Sequence, residues 1–231
     1  MITKSGCNIV RHAELPWEEH TRLPDTKHRA KTYWHDAGND LYLRLVDHPA
    51  KSVVPRHTHP GMHASTLLKG RALTDGLVLN PLDVILGAGN DPHGPLEYPD
   101  GCQMFSLVQG SNAHVAVAAA AALSTEKQYR LIQSEQMPWD PKAGGALHMK
   151  VLVDKGAGRL MLTAMRLSAS FTVPVGSRPH MQAALVIDGT AVVDGEVLNA
   201  WDFIYMAAGV PHGPISFPQG ATLLMVAMRP G

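Results

Sequence analysis

Short apolar runs alternate with clusters of Gly, Pro, Asp and Asn along most of the chain. Such runs include LYLRLV (41–46), CQMFSLV (102–108), RLMLTAMRL (159–167) and TLLMVAM (222–228). Runs of this kind follow one another about every 8–12 residues, which is typical of the strands of a β-sandwich or barrel. Few windows show the period of an amphipathic helix, so the pattern predicts an all-β fold.

The chain also repeats itself at an offset of 119 residues. Residues 75–101 (DGLVLNPLDVILGAGNDPHGPLEYPDG) align without a gap with residues 194–220 (DGEVLNAWDFIYMAAGVPHGPISFPQG), and about half of the positions are identical. The tetrapeptides LPWE (15–18) and MPWD (137–140) match at a slightly different offset. A repeat of this length is a whole domain rather than a solenoid unit, so we expect two tandem barrels produced by internal duplication.

The predicted domains are an N-terminal barrel at residues 1–112, a linker at residues 113–136 and a C-terminal barrel at residues 137–231. The linker contains the run VAVAAAAAL (115–123), which is either a short helix or the continuation of a strand, because periodicity does not separate the two. Two barrels in one chain can pair with each other as a monomer, or an edge strand can pair two chains into a homodimer.

Composition narrows the classes of partner. The formal net charge is zero, 17% of the residues are charged and no Lys- or Arg-rich run occurs, which argues against nucleic-acid binding. The 2 cysteines are too few for a disulfide framework. The N-terminal segment lacks the apolar region of a signal peptide, and no apolar run is long enough to span a membrane. We therefore expect a cytoplasmic protein without a membrane or nucleic-acid partner.

Histidines supply the candidate chemistry. His57, His59 and His63 lie within seven residues, and His93 follows in the turn PHGP. In a strand, residues two apart point to one face, and His63 keeps the parity of the other two. Imidazoles from two strands of a small barrel can converge on one divalent cation, although an isolated HxH pair is more often an ordinary surface or core feature.

The order of these residues resembles the cupin superfamily, whose first motif ends HxH(x)3–4E(x)6G and whose second motif contains a ligand histidine. The resemblance implies a jelly-roll barrel with one metal, in which His57, His59 and His93 are ligands and His63 takes the usual glutamate position. Gly70 matches the glycine of the turn. Because both halves fit, the resemblance implies a bicupin. The departures from the family pattern are Lys51, Leu82, Ala88 and Asn90, which replace Gly, Gly, Pro and Gly.

The second copy lacks most of this histidine set. The positions matching His57, His59, His63 and His93 are Gly176, Arg178, Gln182 and His212. An arginine stays cationic and is a poor metal ligand, so we expect that the C-terminal barrel has lost its metal. Arg178, Gln182 and His212 then either hold an anion or fill the barrel as a hydrogen-bonded polar plug.

The remaining pocket residues follow from strand parity. Ser65 and Leu67 share the parity of His63 and are expected to line the pocket. On the strand after His93, either Met104 or the pair Gln103 and Phe105 faces inward. Four scattered histidines of the N-terminal half are expected on the surface: His12, His20, His28 and His48.

The resemblance also implies a range of activities, among which the sequence identifies no catalytic side chain. Three-histidine iron cupins such as acetylacetone dioxygenase and dihydroxyacetophenone dioxygenase cleave carbon–carbon bonds with O₂. The spacing also resembles zinc-binding anti-sigma-factor (ChrR-like) cupin domains, and four-histidine cupins occur among polyketide cyclases. Four neutral imidazoles leave the charge of a divalent ion uncompensated, which favours a small, anionic substrate or ligand.

Three hypotheses follow. The first is a non-heme iron dioxygenase acting on a small diketone or phenolic ketone. The second is a redox-neutral metal enzyme, an isomerase or cyclase, and the third is a non-catalytic zinc- or ligand-binding module. Iron is the expected cofactor for an oxygenase, while zinc, nickel and manganese stay open for the alternatives. A closed tetrahedron of four histidines would favour the binding module, because structural zinc sites leave no open position.

Overall fold

The structure is a computed structural model that describes residues 3–22, 26–38, 40–111, 113–117, 130–154 and 160–228. Strands dominate it, as the alternating pattern predicts. The first twelve are β1 (Cys7–Val10), β2 (Glu18–Arg22), β3 (Thr26–Asp36), β4 (Leu41–His48), β5 (Ser52–Val54), β6 (His57–Thr58), β7 (Met62–Gly70), β8 (Ala72–Thr74), β9 (Leu77–Leu79), β10 (Val84–Gly87), β11 (Leu96–Tyr98) and β12 (Cys102–Gln109).

The later strands follow one another at similar intervals along the chain. They are β13 (Val115–Ala116), β14 (Arg130–Ile132), β15 (Asp140–Lys142), β16 (Leu147–Asp154), β17 (Met161–Leu167), β18 (Phe171–Val173), β19 (Met181–Gly189), β20 (Ala191–Val193), β21 (Glu196–Leu198), β22 (Phe203–Met206), β23 (Ile215–Phe217) and β24 (Ala221–Met228). Short 3-10 helices lie at His12–Glu14, Ser134–Gln136 and Ala143–Gly145. The described part of the chain contains no helix long and apolar enough to cross a membrane. The alanine run from residue 118 lies outside the described residues.

The chain divides into two compact units. The first unit is Leu15–Gln136, and the second unit combines Met1–Glu14 with Met137–Gly231. Each has a seven-stranded antiparallel sheet, in the order β14-β10-β7-β12-β4-β3-β2 in the first unit and β1-β22-β19-β24-β17-β16-β15 in the second. Each also has a four-stranded sheet, β5-β11-β8-β9 and β18-β23-β20-β21 respectively. Strands offset by 119 residues therefore hold equivalent places in the two units.

The core of each unit lies where the two sheets face each other. In the first unit, Leu67 and Met104 of the large sheet pack with Val54 and Tyr98 of the small one. Residues two apart along a strand point to one side, so alternate apolar positions supply these inward faces. In the second unit, the equivalent cluster contains Ile204, Phe217 and Leu223.

Each of the edge strands β1 and β14 pairs with a strand that belongs to the other copy of the sequence repeat. β1 pairs with β22 of the second unit, and β14 pairs with β10 of the first. The adjoining contacts are equivalent, since the backbone N–H of His12 donates to Asp202 (2.8 Å) and that of Ser134 donates to Asp83 (2.7 Å). The unit boundaries consequently differ from the predicted 1–112, 113–136 and 137–231. A repeat offset does not reveal which copy an edge strand joins, and residues 1–14 join the later one.

One further pair of equivalent residues has a structural role in both units. Trp17 lies 5.0 Å from the ammonium of Lys31, and Trp139 lies 4.9 Å from that of Lys150. Both lysines are buried, and burial lowers the pKa of Lys31. An aromatic face offsets part of the cost of burying such a cation.

Candidate metal centre

Four histidines of the first unit meet inside it. His57 lies on β6, His59 directly follows that strand, His63 lies on β7, and His93 lies between β10 and β11. His57 and His93 form an isolated antiparallel bridge, in which each backbone N–H donates to the other carbonyl at 3.0 and 2.9 Å. This bridge brings two residues that are distant in sequence to one point, and the short β6–β7 turn adds the other two.

The side chains converge as a metal site requires. All four are at most 5% exposed. The ligand atoms of His59, His63 and His93 lie within 4.8 Å of one another, and the Nε2 atoms of His57 and His59 are 3.1 Å apart. Two nitrogens that each lie about 2.1 Å from one ion, at right angles, are about 3.0 Å from each other. The spacing of His57 and His59 therefore fits two ligands of one ion.

Hydrogen bonds to backbone carbonyls orient two of the four imidazole rings. Nδ1 of His57 donates to the carbonyl of Pro55 (2.7 Å), and Nδ1 of His93 donates to that of Asp91 (3.0 Å). A neutral imidazole that donates from Nδ1 has its lone pair on Nε2, which is how metal-bound histidines are commonly held. Burial lowers the pKa of His93, which favours the neutral, metal-binding form.

A glycine makes room for His63. Gly87 of β10 lies opposite His63 of β7 in the sheet register. A Cβ built on Gly87 would overlap the imidazole of His63, lying 2.8 Å from both of its nitrogens. In the second unit the equivalent pair is Met206 opposite Gln182. The histidine and the space for its ring are therefore present together in one unit and absent together in the other.

A fifth histidine, which was not predicted from the sequence, also belongs to the cluster. His114 precedes β13, which pairs with β6. Its ring stacks on His57 with centroids 4.6 Å apart and meets His59 edge-on at 4.2 Å. The side chains of His57, His59 and His114 form a second group with ligand atoms within 4.8 Å. His59 belongs to both groups. The only sequence signal was an unassigned histidine within the predicted linker.

The histidines open onto a cavity of about 40 Å³. Ser65 lines it, and of the two alternatives on β12 it is Met104 that faces it; the hydroxyl of Ser65 lies 2.8 Å from that of Ser106. Leu67 does not line it and instead packs in the apolar cluster between the sheets. A cavity of this size has room for an ion and a few water-sized groups.

Two histidines expected on the surface are in fact on the cavity wall. His28 and His48 are 5% and 4% exposed, and both line the cavity. Their rings stack 5.6 Å apart, and His48 stacks on Tyr98 at 4.1 Å. His28 lies on β3, whose bulge between Thr32 and Trp34 changes which residues of that strand face inward. His48 lies on β4 and shares the face of Arg44 and Val46, which also line the cavity.

The second unit has a different interior. Gly176 and His212 form the equivalent backbone bridge, but Arg178 is exposed and donates to the carbonyl of Ser177 (3.3 Å). Gln182 donates to the sulfur of Met225 (3.8 Å), and Nδ1 of His212 to the carbonyl of Val210 (3.0 Å). Arg178, Gln182 and His212 thus form no hydrogen bond to one another.

Apolar side chains take the place of the expected polar plug. Met165, Met206 and Leu223 belong to the apolar cluster of the second unit. Among the described residues, this unit contains no group of three histidine, cysteine or acidic side chains placed to hold a metal. The motif positions alone do not reveal this, because the neighbouring positions Met165, Met206 and Leu223 are also apolar.

Comparisons with known proteins identify the fold. No protein-family model and no curated protein matches the sequence. Solved structures do match. A proposed dioxygenase from Nostoc punctiforme is 12% identical with a TM-score of 0.83, and the match covers 98% of this chain and 84% of that one. Streptomyces albus HEPD, solved with its substrate 2-hydroxyethylphosphonate and Fe(II), is 11% identical with a TM-score of 0.72, over 98% and 77% of the two chains.

A third match is an enzyme of another class. Oxalate decarboxylase from Lactobacillus farciminis, solved as a formate complex, is 12% identical with a TM-score of 0.68, over 96% of this chain and 86% of that one. This chain has the cupin fold that these proteins share. Identities this low establish the fold and leave the activity to the residues of the site.

Proposed function

We propose that the chain is a bicupin whose two barrels arose by internal duplication and whose first barrel alone binds metal. The identical strand order of the large sheets and the equivalent backbone bridges at His57–His93 and Gly176–His212 support a duplication. The apolar interior of the second unit supports the loss of its metal.

We further propose that the first barrel is the active site of a non-heme iron dioxygenase that acts on a small diketone or phenolic ketone. The observation that carries this proposal is a buried set of histidines, without a carboxylate among the grouped ligands, beside a cavity. Bound iron(II) would supply the reactivity toward O₂ that side chains lack. His59, His63 and His93, with His57 beside them, would hold it.

The residues of the cavity wall have separate tasks. Val46, Met104 and Val108 present apolar surface that limits water around a bound substrate. Ser65 and Ser106 share a hydrogen bond and offer hydroxyls to a substrate oxygen. Neutral imidazoles would leave the positive charge of a bound divalent ion uncompensated, so a diketone or phenol is favoured in its deprotonated form, with its proton released to solvent.

The test is oxygen uptake by protein reconstituted with iron(II) without air. We expect uptake with a β-diketone such as acetylacetone or with a phenolic ketone, accompanied by loss of substrate. The His59→Ala variant should show neither, because His59 belongs to both histidine groups. Iron-loaded protein that consumes no oxygen with any of these compounds would refute the dioxygenase.

Two other outcomes would favour the alternatives. Conversion of a substrate by zinc-loaded protein without oxygen would favour a redox-neutral isomerase or cyclase. A coordination sphere closed by histidines, without an exchangeable water, would favour a binding module, since structural zinc sites have no open position.

A further inference from the structure

One positively charged side chain lines the cavity without belonging to the histidine groups. Arg44 of β4 lines the cavity together with the histidines. Among the described residues, its buried Nε has no hydrogen-bond partner, and no carboxylate forms an ion pair with it. A partly buried guanidinium without a carboxylate partner is unfavourable, so Arg44 is suited to bind an anionic ligand.

The strand register places Arg44 close enough to the histidines for one small molecule to contact both. Arg44 pairs with Ser106 on β12, and Ser106 pairs with Ser65 on β7, so these three residues form one row across three strands. His63 lies one same-face step further along β7 from Ser65, which is about 7 Å. A small molecule held near His63 would therefore reach toward the two serines and the guanidinium.

Aromatic packing holds the guanidinium from one side. Its Cζ lies 4.5 Å from the centre of the Tyr42 ring, and that ring stacks on His35 at 4.1 Å. A guanidinium stacked on a ring keeps its N–H groups directed outward in its own plane. Those groups match the two oxygens of a carboxylate, which arginine binds through paired hydrogen bonds.

The second unit provides an internal control. At the positions equivalent to Arg44, Ser65 and Ser106, it has Thr163, Ala184 and Met225. The equivalent strands pair in the same order, so the fold does not require the arginine or the serines. The polar row is present only in the unit that has the histidine cluster.

We propose that Arg44 binds a carboxylate of the substrate, so that the substrate is a small 1,3-dicarbonyl compound with an acid at one end. This inference rests on the proposed function, because the other end of the molecule would occupy the histidine site. Ser65 and Ser106 lie between the two ends, where their hydroxyls can donate to the carboxylate or the ketone oxygen. A β-keto acid is then preferred to the neutral diketone of the same size.

The experiment compares two probes that differ in one group. Acetoacetate and acetylacetone have a carboxylate and an acetyl group, respectively, at the same position. Their affinities for zinc-loaded protein are measured by titration calorimetry, since zinc does not support redox chemistry. We expect acetoacetate to bind the unaltered protein more tightly. The Arg44→Met variant should bind acetoacetate about 10- to 100-fold more weakly, on the scale of hydrogen bonds to charged groups. Its affinity for acetylacetone should stay within about 2-fold.

Two further variants make the result specific. Arg44→Lys keeps the charge but not the paired donors, so it should give an intermediate loss for acetoacetate. Arg71→Met removes one exposed positive charge, paired with Asp100 in the same unit, and should change neither affinity. If Arg44→Met does not take up zinc, the Arg44→Lys comparison decides. Equal affinity of the unaltered protein for both probes, or an equal loss for both in an Arg44 variant, would overturn the proposal.

Failure of this proposal is distinguishable from failure of the dioxygenase. A protein that binds acetoacetate through Arg44 yet consumes no oxygen supports the carboxylate site and refutes only the oxygenase chemistry. A protein that consumes oxygen with acetylacetone but binds acetoacetate equally well without Arg44 refutes only the carboxylate site.

Discussion

Replacing Gly87 with alanine tests whether His63 is a metal ligand without altering any histidine. The new Cβ would overlap Cε1 of His63 and would lie 2.8 Å from its Nδ1 and Nε2, whereas ordinary contacts begin at 3.4 Å. The nitrogens alone would have to move by about 0.6 Å and Cε1 by more, while metal–ligand distances vary by only about 0.2 Å. The backbone of Gly87 does not have a positive φ, so alanine adds no backbone strain there. We expect metal affinity to fall about 10- to 100-fold.

A double-mutant cycle isolates the cause. Metal affinity is measured by competition with a chelator of known strength for the unaltered protein, Gly87→Ala, His63→Ala and the double variant. If the methyl group acts by displacing His63, Gly87→Ala has no further effect once His63 is alanine. Unaltered affinity in Gly87→Ala would show that the His63 ring does not bind the ion. An equal loss in both backgrounds would show that the methyl group acts through another residue.

Three other predictions concern the whole chain. Elemental analysis should give one tightly bound ion per chain, lost in the His57→Ala/His59→Ala double variant; two ions per chain would contradict the loss of the second site. Ile9→Ala, which removes a buried side chain of β1 from the second unit, should cost about 2–5 kcal/mol of stability in that unit, seen by denaturation or hydrogen exchange, with metal affinity unchanged. Because burial lowers the pKa of His93, its protonation favours the unfolded state. Stability of the metal-free protein should thus be complete above the ordinary histidine pKa and decline as the pH falls toward the lowered one, measured by denaturation at several pH values. A stability that rises on acidification would contradict this.

The sequence predicted the parts of the site that depend on local spacing. His57, His59 and His63 could be recognised because strand parity and a short turn bring them together, and His93 because it sits in a recurring turn. His114 could not be recognised, since it reaches the site only through the pairing of β13 with β6. Arg44 lies on a strand whose alternation was clear, but no pattern revealed that its inward face lines a cavity.

The location of Leu67 shows a second limit of the same kind. Parity correctly puts Leu67 on the inward side of β7, yet the inside of the unit contains both a cavity and an apolar layer. β12 shifts register between Gln103 and Met104, beside Leu67, and Leu67 packs with the small sheet. Parity gives the side of a sheet that a residue faces, whereas the depth along the strand depends on the packing of the other sheet.

The crossing of β1 to the second unit has a consequence for synthesis on the ribosome. All residues of the first unit have been made once Gln136 is in place, so the histidine site can assemble while the second unit is still absent. β1 is made long before its partner β22, which begins at Phe203. During that interval the apolar side chains of Cys7 and Ile9 have no partner strand, as for any unpaired edge. A nascent chain stalled before residue 203 should therefore bind metal while β1 remains open to chaperones and proteases.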